Sequence, residues 1–192
     1  MIDTLQAWDE ALLLWLNGNP LWMQSAAWIL TAKWTTFPVV LLVLVKLMRQ
    51  RDLRKGLLGL GLFLACIGGT DAISSRLMKP GFERLRPSHN PNLSEQLILH
   101  TQNDGTFYRG GSFGMVSSHA ANTFGIATLA ILLFGGHSWR WLWLWAAIVS
   151  WTRIYLGVHY PADIVLGALF GAGWACAIFQ VSHRFKLFKP EP

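Results

Sequence analysis

The chain has 192 residues, of which 53% are hydrophobic and 14% charged, with eleven tryptophans, a formal net charge of +6 and a pI near 9.8. Soluble domains carry about 25% charged residues, so this composition excludes an ordinary water-soluble globule and assigns the chain to a membrane. The basic excess lies largely in segments that join apolar runs, which reads as topology and contact with anionic lipid, not as nucleic-acid binding.

Residues 3–17 predict a helix. Leu5, Trp8, Leu12, Trp15 and Leu16 recur at helical spacing while Asp3, Gln6, Asp9 and Glu10 take the other face, which describes a helix lying in the membrane interface rather than across it. A secretory signal is not expected, because the first residues carry Asp3 and no cation. Residues 23–48 are too short for two spans and are interrupted by Lys33, Thr35, Thr36 and Pro38, so one kinked crossing is predicted. Four further apolar runs, 56–78, 120–134, 139–155 and 162–181, reach the roughly 20 residues a crossing needs, the second only with its polar ends included. The expected fold is therefore an all-α integral membrane protein, a bundle of about five transmembrane helices plus the N-terminal interfacial helix. No repeat or linker divides residues 1–192, so one domain is expected. Gly167, Gly171 and Ala175 form a small-residue stripe for close helix approach, and Trp139, Trp141, Trp143 and Trp145 suit an interfacial belt. Cys66 and Cys176 lie inside spans and read as small hydrophobes.

Charge orients the bundle. Lys46, Arg49, Arg51, Arg54 and Lys55 follow the first span, Arg140 lies between the third and fourth, and Arg184, Lys186 and Lys189 follow the fifth. With five spans these share one side, which the positive-inside rule makes cytoplasmic. Lys79 ends the second span, His119 opens the third, Arg153 and His159 end the fourth and Asp163 opens the fifth. All of them then face the extracytoplasmic side.

That convergence is the equipment for moving a phosphoryl group. A phosphate dianion repels nucleophiles until fixed cations and donors spread its charge, and Lys79, Arg86 and Arg153 are the candidates. The start of the third span adds backbone N–H groups around Ser117, Ser118 and His119, where a helix N-terminus favours an anion, and the Ser117 hydroxyl is a further donor. His159 and Asp163 are four apart at a helix start marked by Pro161, so Asp163 can accept a hydrogen bond from the N–H of one ring nitrogen and leave the other free to attack phosphorus. Singly, each residue has a plainer reading: Lys79 snorkelling, Asp163 as a helix-start charge, His119 as an interfacial or capping residue. Arg153 resists one, since an arginine in the bilayer costs about 2.5 to 3.5 kcal/mol even on a lenient scale.

These residues also match a known pattern. Lys79 is followed by six residues and then Arg86 and Pro87; Val116, Ser117, Ser118 and His119 form a second motif; Thr152, Arg153, five residues, His159, three residues and Asp163 form a third. In order and spacing the chain resembles the type 2 phosphatidic acid phosphatase superfamily of integral-membrane lipid phosphatases over roughly residues 56–181. It departs from the family pattern with Val116 for proline, Ser118 for glycine and Thr152 for serine. The resemblance implies a phosphohistidine at His159 oriented by Asp163, with His119 protonating the leaving oxygen and later activating water, and with no metal and no cofactor. It also implies a bacterial inner-membrane lipid phosphatase, for which undecaprenyl diphosphate is the first substrate expected. Lipid A, phosphatidylglycerol phosphate and phosphatidate remain alternatives, as do a lipid phosphotransferase and a non-catalytic lipid-phosphate binder or transporter. A phosphorylated lipid and the surrounding membrane lipids are the partners expected.

Three features lie outside the motifs. Asp71 and Ser75 precede Lys79 at intervals of four, with Arg76 close by, and Asp71 is expected to be a buried partner for Arg76 or Arg153. His137 and His183 fall on the cytoplasmic side, while His89 and His100 lie in the loop 88–115, where no tight spacing supports a zinc site. That loop, with Gly105, Phe107, Tyr108, Arg109, Gly110, Gly111 and Gly114, reads as a mobile lid, a head-group contact or a plain surface loop.

Overall fold

The computed structural model describes residues 2–18, 20–49, 52–135 and 137–185. Arg51, Lys186 and Lys189 of the expected basic set lie outside them, as do the side chains of Asp3 and Lys33. The described residues form eight α-helices and no strand beyond the isolated bridges Leu85–Phe113 and Thr101–Phe107. The helices are α1 Ile2–Leu16, α2 Gln24–Thr31, α3 Lys33–Met48, α4 Leu53–Ile73, α5 Lys79–Phe82, α6 Ser118–Phe134, α7 Trp141–Tyr155 and α8 Pro161–Arg184.

Helix α6 is the axis of the molecule. It is apolar all round and buried along most of its length, as expected of a helix surrounded by others. It packs chiefly on α8 and also on α4 and α7. The Gly167, Gly171 and Ala175 stripe makes the α6–α8 approach possible: a Cβ added at Gly171 would stand 2.0 Å from the Ala121 carbonyl oxygen, and one at Gly167 2.6 Å from that of Ser117. Leu129, Leu133, Leu142, Ala146 and Phe63 fill the core around this contact. Trp139 and Trp145 pack against the same cluster, while Trp141 and Trp143 are about half exposed, so two of the four tryptophans face outward as a belt requires.

Asp52 caps α4 by accepting from the Arg54 N–H at 2.9 Å. The helix then runs through a π-helical turn, Ser74–Met78, into α5, giving one helical rod Leu53–Phe82. It ends where Glu83 takes a left-handed φ of 47°. Rod Leu53–Phe82 and α8 are each long and apolar enough to cross a membrane. The segments Leu21–Thr31 and Trp34–Met48 qualify jointly as a third crossing, bent by 43°. The bend falls at Ala32, which has extended backbone, and not at Pro38, which sits inside α3. A proline there removes one hydrogen bond, whereas a residue out of helical geometry breaks the rod. At 17 and 15 residues, α6 and α7 are shorter than a standard crossing. The molecule is a multi-pass, all-helical membrane protein.

Helix α1 is about 22 Å long at 1.5 Å per residue, too short to cross. Leu5, Trp8, Leu12 and Trp15 are exposed, as an interfacial helix requires, while Leu13 is fully buried and Leu16 packs with it against Ile154 and Tyr160. The acidic face is the surprise. Asp9 does not face water: it turns into the bundle.

Candidate active site

The three motifs meet at one end of the bundle, where α4–α5 ends, α6 begins, α7 ends and α8 begins. The described residues of the expected basic set, Lys46, Arg49, Arg54, Lys55, Arg140 and Arg184, sit at or beside the opposite helix ends.

Pro161 starts α8 with its preset φ, and Asp163 follows as its third residue, fully buried. One carboxylate oxygen, Oδ2, accepts from the Tyr160 N–H at 3.1 Å and lies 3.2 Å from His159 Nδ1. The other, Oδ1, accepts from Arg84 Nη1 at 3.0 Å. On the far side of the His159 ring, Nε2 is 2.9 Å from Arg86 Nη1. Guanidinium only donates, so Nε2 is the acceptor, and the ring proton is on Nδ1, donated to Asp163. Burial first, and then Arg86, Arg153, Lys79 and Arg84, hold the His159 pKa well below its usual 6.5. The imidazole is neutral at pH 7, with a lone pair on Nε2.

Three cations surround it. Arg86 is buried, donates to the Val158 carbonyl at 3.0 Å, and is drawn down to about 10 by burial and by Arg153, which leaves it charged at neutral pH. Arg153 is 2% exposed and meets no carboxylate; its two terminal nitrogens donate to Thr31 Oγ1 at 2.7 Å and Tyr108 Oη at 2.9 Å. The Nε–H groups of both arginines are buried and have no acceptor among the described residues. An unmet buried donor costs about 1 to 3 kcal/mol and more when charged, so two in one site equip it to receive an anion. Lys79 donates from Nζ to Ser118 Oγ at 2.9 Å, an oxygen shared with Ser74 at 2.8 Å. His119 has Arg153, His159, Arg86 and Lys79 as its charged and titratable neighbours.

Sequence, spacing and geometry are joined by the comparisons with known proteins. The family model of the PAP2 superfamily matches residues 57–187. The chain belongs to the PAP2 superfamily. Among its relatives, a lipid A 4'-phosphatase of Bacteroides thetaiotaomicron is 34% identical over 96% of this chain and 81% of its own. One from Porphyromonas gingivalis is 32% identical over 85% of this chain and 68% of its own. An undecaprenyl-diphosphatase of Sulfolobus acidocaldarius matches only 31% of the chain and 30% of its own, at 32% identity. The crystal structure of a transmembrane PAP2-type phosphatidylglycerolphosphate phosphatase from Bacillus subtilis shares the fold, with a TM-score of 0.66 over 97% of this chain and 90% of that one, at 22% identity. The PAP2 protein described here is thus a membrane lipid phosphatase.

The structure brings Lys79, Arg86, Ser117, Ser118, His119, Arg153, His159 and Asp163 to this one end, while the surroundings of Ser117 and of Asp71 differ from those expected. Ser117 is fully buried as the N-cap of α6, its oxygen accepting from the Ala120 N–H at 3.5 Å, and its own N–H is bound by the Asp163 carbonyl at 3.0 Å. Ser118, not Ser117, is the hydroxyl beside Lys79. Asp71 is exposed, not buried, and pairs with neither Arg76 nor Arg153. It walls a cavity of about 410 Å³ that opens beside Ser118 and His119 and is also lined by Thr31, Ile67 and Asn122.

The loop 88–115 is built in, not loose. Leu93 and Leu99 are buried, Ser88 and Arg109 bond reciprocally, and Asn17 and Gln24 tie it down at Ile98 and Leu99. Its contribution to the site is Tyr108, which stands on Trp28 and holds Arg153. His100 stacks on Trp28 and His89 faces the Gly110 carbonyl; among the described residues no three His, Cys, Asp or Glu are grouped to hold a metal. Both cysteines are free.

Sequence reasoning missed Asp9, Arg84 and Thr31. Arg84 Nη2 donates to Asp9 Oδ2 at 2.6 Å, and Asp9 Oδ1 accepts from the Ala162 N–H at 2.8 Å. Arg84, two residues before Arg86, was the readable signal. Nothing local marks Asp9 among the acids of α1, or Thr31 on α2.

Proposed function

We propose that the protein hydrolyses a phosphate monoester from a lipid head group at the extracytoplasmic face, without metal, through a phosphohistidine at His159. The buried, unpartnered Nε–H groups of Arg86 and Arg153 beside a neutral, Asp163-held imidazole carry this reading. The phosphate oxygens take the free donors of Arg86, Arg153 and Lys79, with Ser118 and the start of α6 adding to the cradle. Arg86 thereby gives up its hold on Nε2, freeing the lone pair. Nε2 attacks phosphorus, the bond from phosphorus to the lipid oxygen breaks, and that oxygen takes the proton of His119. Cations crowd His119, so it acquires its proton with the phosphate dianion, which favours the charged ring. His119 then removes a proton from water, whose oxygen attacks phosphorus; the P–N bond breaks and phosphate leaves.

The leaving lipid extends toward the cavity walled by Asp71 and Asn122. Relatives matched over most of their length are lipid A 4'-phosphatases, which moves a lipid A phosphate ahead of undecaprenyl diphosphate as substrate. The latter is the second reading, supported by a match over a third of the chain. Five crossings in the bacterial inner membrane, with the motif end outside, complete the proposal; the basic ends of α3, α4, α7 and α8 support it.

Phosphate release from the four lipid classes, by purified protein in detergent with EDTA, tests it. Wild type releases phosphate and is inhibited by vanadate, while His159→Ala releases none. Retained activity in His159→Ala, or strict dependence on a divalent metal, would refute the mechanism.

A further inference from the structure

We propose that Asp9 is a positioning residue for this reaction: acting through Arg84, it fixes the Asp163 carboxylate and so holds His159 in one tautomer and one aim. The inference rests on His159 being the nucleophile, as proposed above.

Arg84 bridges two carboxylates on different helices, Nη2 to Asp9 on α1 at 2.6 Å and Nη1 to Asp163 on α8 at 3.0 Å. Burial disfavours its charge, but the Asp9 and Asp163 carboxylates outweigh that and hold the guanidinium above its usual pKa. Its Cζ lies 3.9 Å from the centre of the Tyr160 ring, a cation–π contact that holds the fork in place. Asp163 is then held by donors from three directions, Arg84 on Oδ1 and the Tyr160 N–H and His159 on Oδ2. A carboxylate so fixed offers the imidazole one acceptor in one place. Removing Arg84 would free it to rotate.

Asp9 does a second thing. Tyr160, the N-cap of α8, has no side-chain cap of its own, and Asp9 Oδ1 takes the Ala162 N–H, the bond an N-cap side chain ordinarily makes. One carboxylate from α1 thus steadies both the guanidinium behind Asp163 and the helix turn that carries Asp163. An anchor for α1 alone would need neither. The far side of α1 carries Leu5, Trp8, Leu12 and Trp15, so the helix that lies against lipid is joined to the nucleophile through three successive bonds, Asp9–Arg84, Arg84–Asp163 and Asp163–His159.

Asp9→Asn separates these roles, because the amide oxygen still caps Ala162 while the negative charge that Arg84 Nη2 meets is lost. We expect kcat to fall by about tenfold to a hundredfold with KM held within about twofold. Arg84→Gln should lose as much, and the double variant no more than Arg84→Gln alone, since Asp9 acts through Arg84. Nitrogen NMR of labelled histidine gives a readout independent of turnover: His159 is a single Nδ1–H tautomer in wild type and exchanges between tautomers in Asp9→Asn. Because Arg86, Arg153, Lys79, Arg84, Asp163 and His119 all bear on that ring, the spectra are compared at one pH where each variant stays folded. Unchanged kcat with an unchanged His159 spectrum, or losses that multiply in the double variant, would overturn the proposal. If wild type releases phosphate from no lipid, the hydrolase reading fails, and the His159 spectra still decide whether Asp9 positions the ring.

Discussion

At the scale of single residues, the site depends on planar, permanently charged forks. Arg153 divides its terminal nitrogens between Thr31 and Tyr108, and a lysine there cannot reach both while also meeting phosphate. Hydrogen bonds to charged groups are worth about 1.5 to 3 kcal/mol, so Arg153→Lys should lower kcat/KM by roughly tenfold to a hundredfold, read from initial rates at low substrate. The pH dependence follows from His159. A folded pKa well below 6.5 means the ring stays unprotonated as pH falls through 6.5, so the acid limb of kcat/KM attributable to it lies below that value. The unfolded chain takes up that proton near 6.5 and the native state does not, so this histidine's contribution to stability is full above 6.5 and is lost as pH falls below it. Thermal unfolding from pH 7 to 5 checks the sign: the contribution predicts a decreasing midpoint.

At the scale of elements, the site is as good as the contact between α6 and α8. Those helices carry Ser118 and His119 on one side and Asp163 on the other, and they approach backbone to backbone at Gly167 and Gly171. Gly171→Val puts a branched side chain against the Ala121 carbonyl, and overpacking of this kind costs about 1 to 3 kcal/mol. A lowered melting point in detergent together with loss of phosphate release is the expected outcome; a melting point equal to wild type would show that the helices can part without harm. Asn17 performs a similar service for the loop 88–115. Its amide donates to the Ile98 and Tyr155 carbonyls and accepts from the Ile98 N–H, all with 4% exposure. Asn17→Ala leaves these groups unmet at about 1 to 3 kcal/mol, and increased proteolysis of that loop is the measurement to make.

At the scale of the whole molecule, the helix polarity sends all motif residues, their own cations included, to one end and the loop cations Lys46, Arg49, Arg54, Lys55, Arg140 and Arg184 to the other. Asp104 and Arg140 are exposed at or beyond these two ends. In a background with Cys66 and Cys176 replaced by serine, an impermeant maleimide should label Asp104→Cys in right-side-out vesicles and Arg140→Cys only after lysis. The reverse pattern would invert the topology proposed above.

How much was legible varied with the kind of interaction. Spacing sufficed for His159 and Asp163, because four residues across a helix start leave little freedom, and for the Gly167 and Gly171 stripe, because small residues at helical spacing have one packing use. Composition sufficed for the membrane. The bend at Ala32 was not legible, since Pro38 is the stronger local breaker and only packing of α2 against α7 explains why the chain turns earlier. Nor was the fate of Asp71, which faces a cavity that no local pattern encodes. By itself the sequence determined the chemistry: which residues titrate, which carry fixed charge, and at which helix ends they sit. Only the tertiary structure decided the partners. Asp9 meets Arg84 across 75 positions and Thr31 meets Arg153 across 122, and contacts between distant segments arise from how helices pack, which local periodicity does not specify.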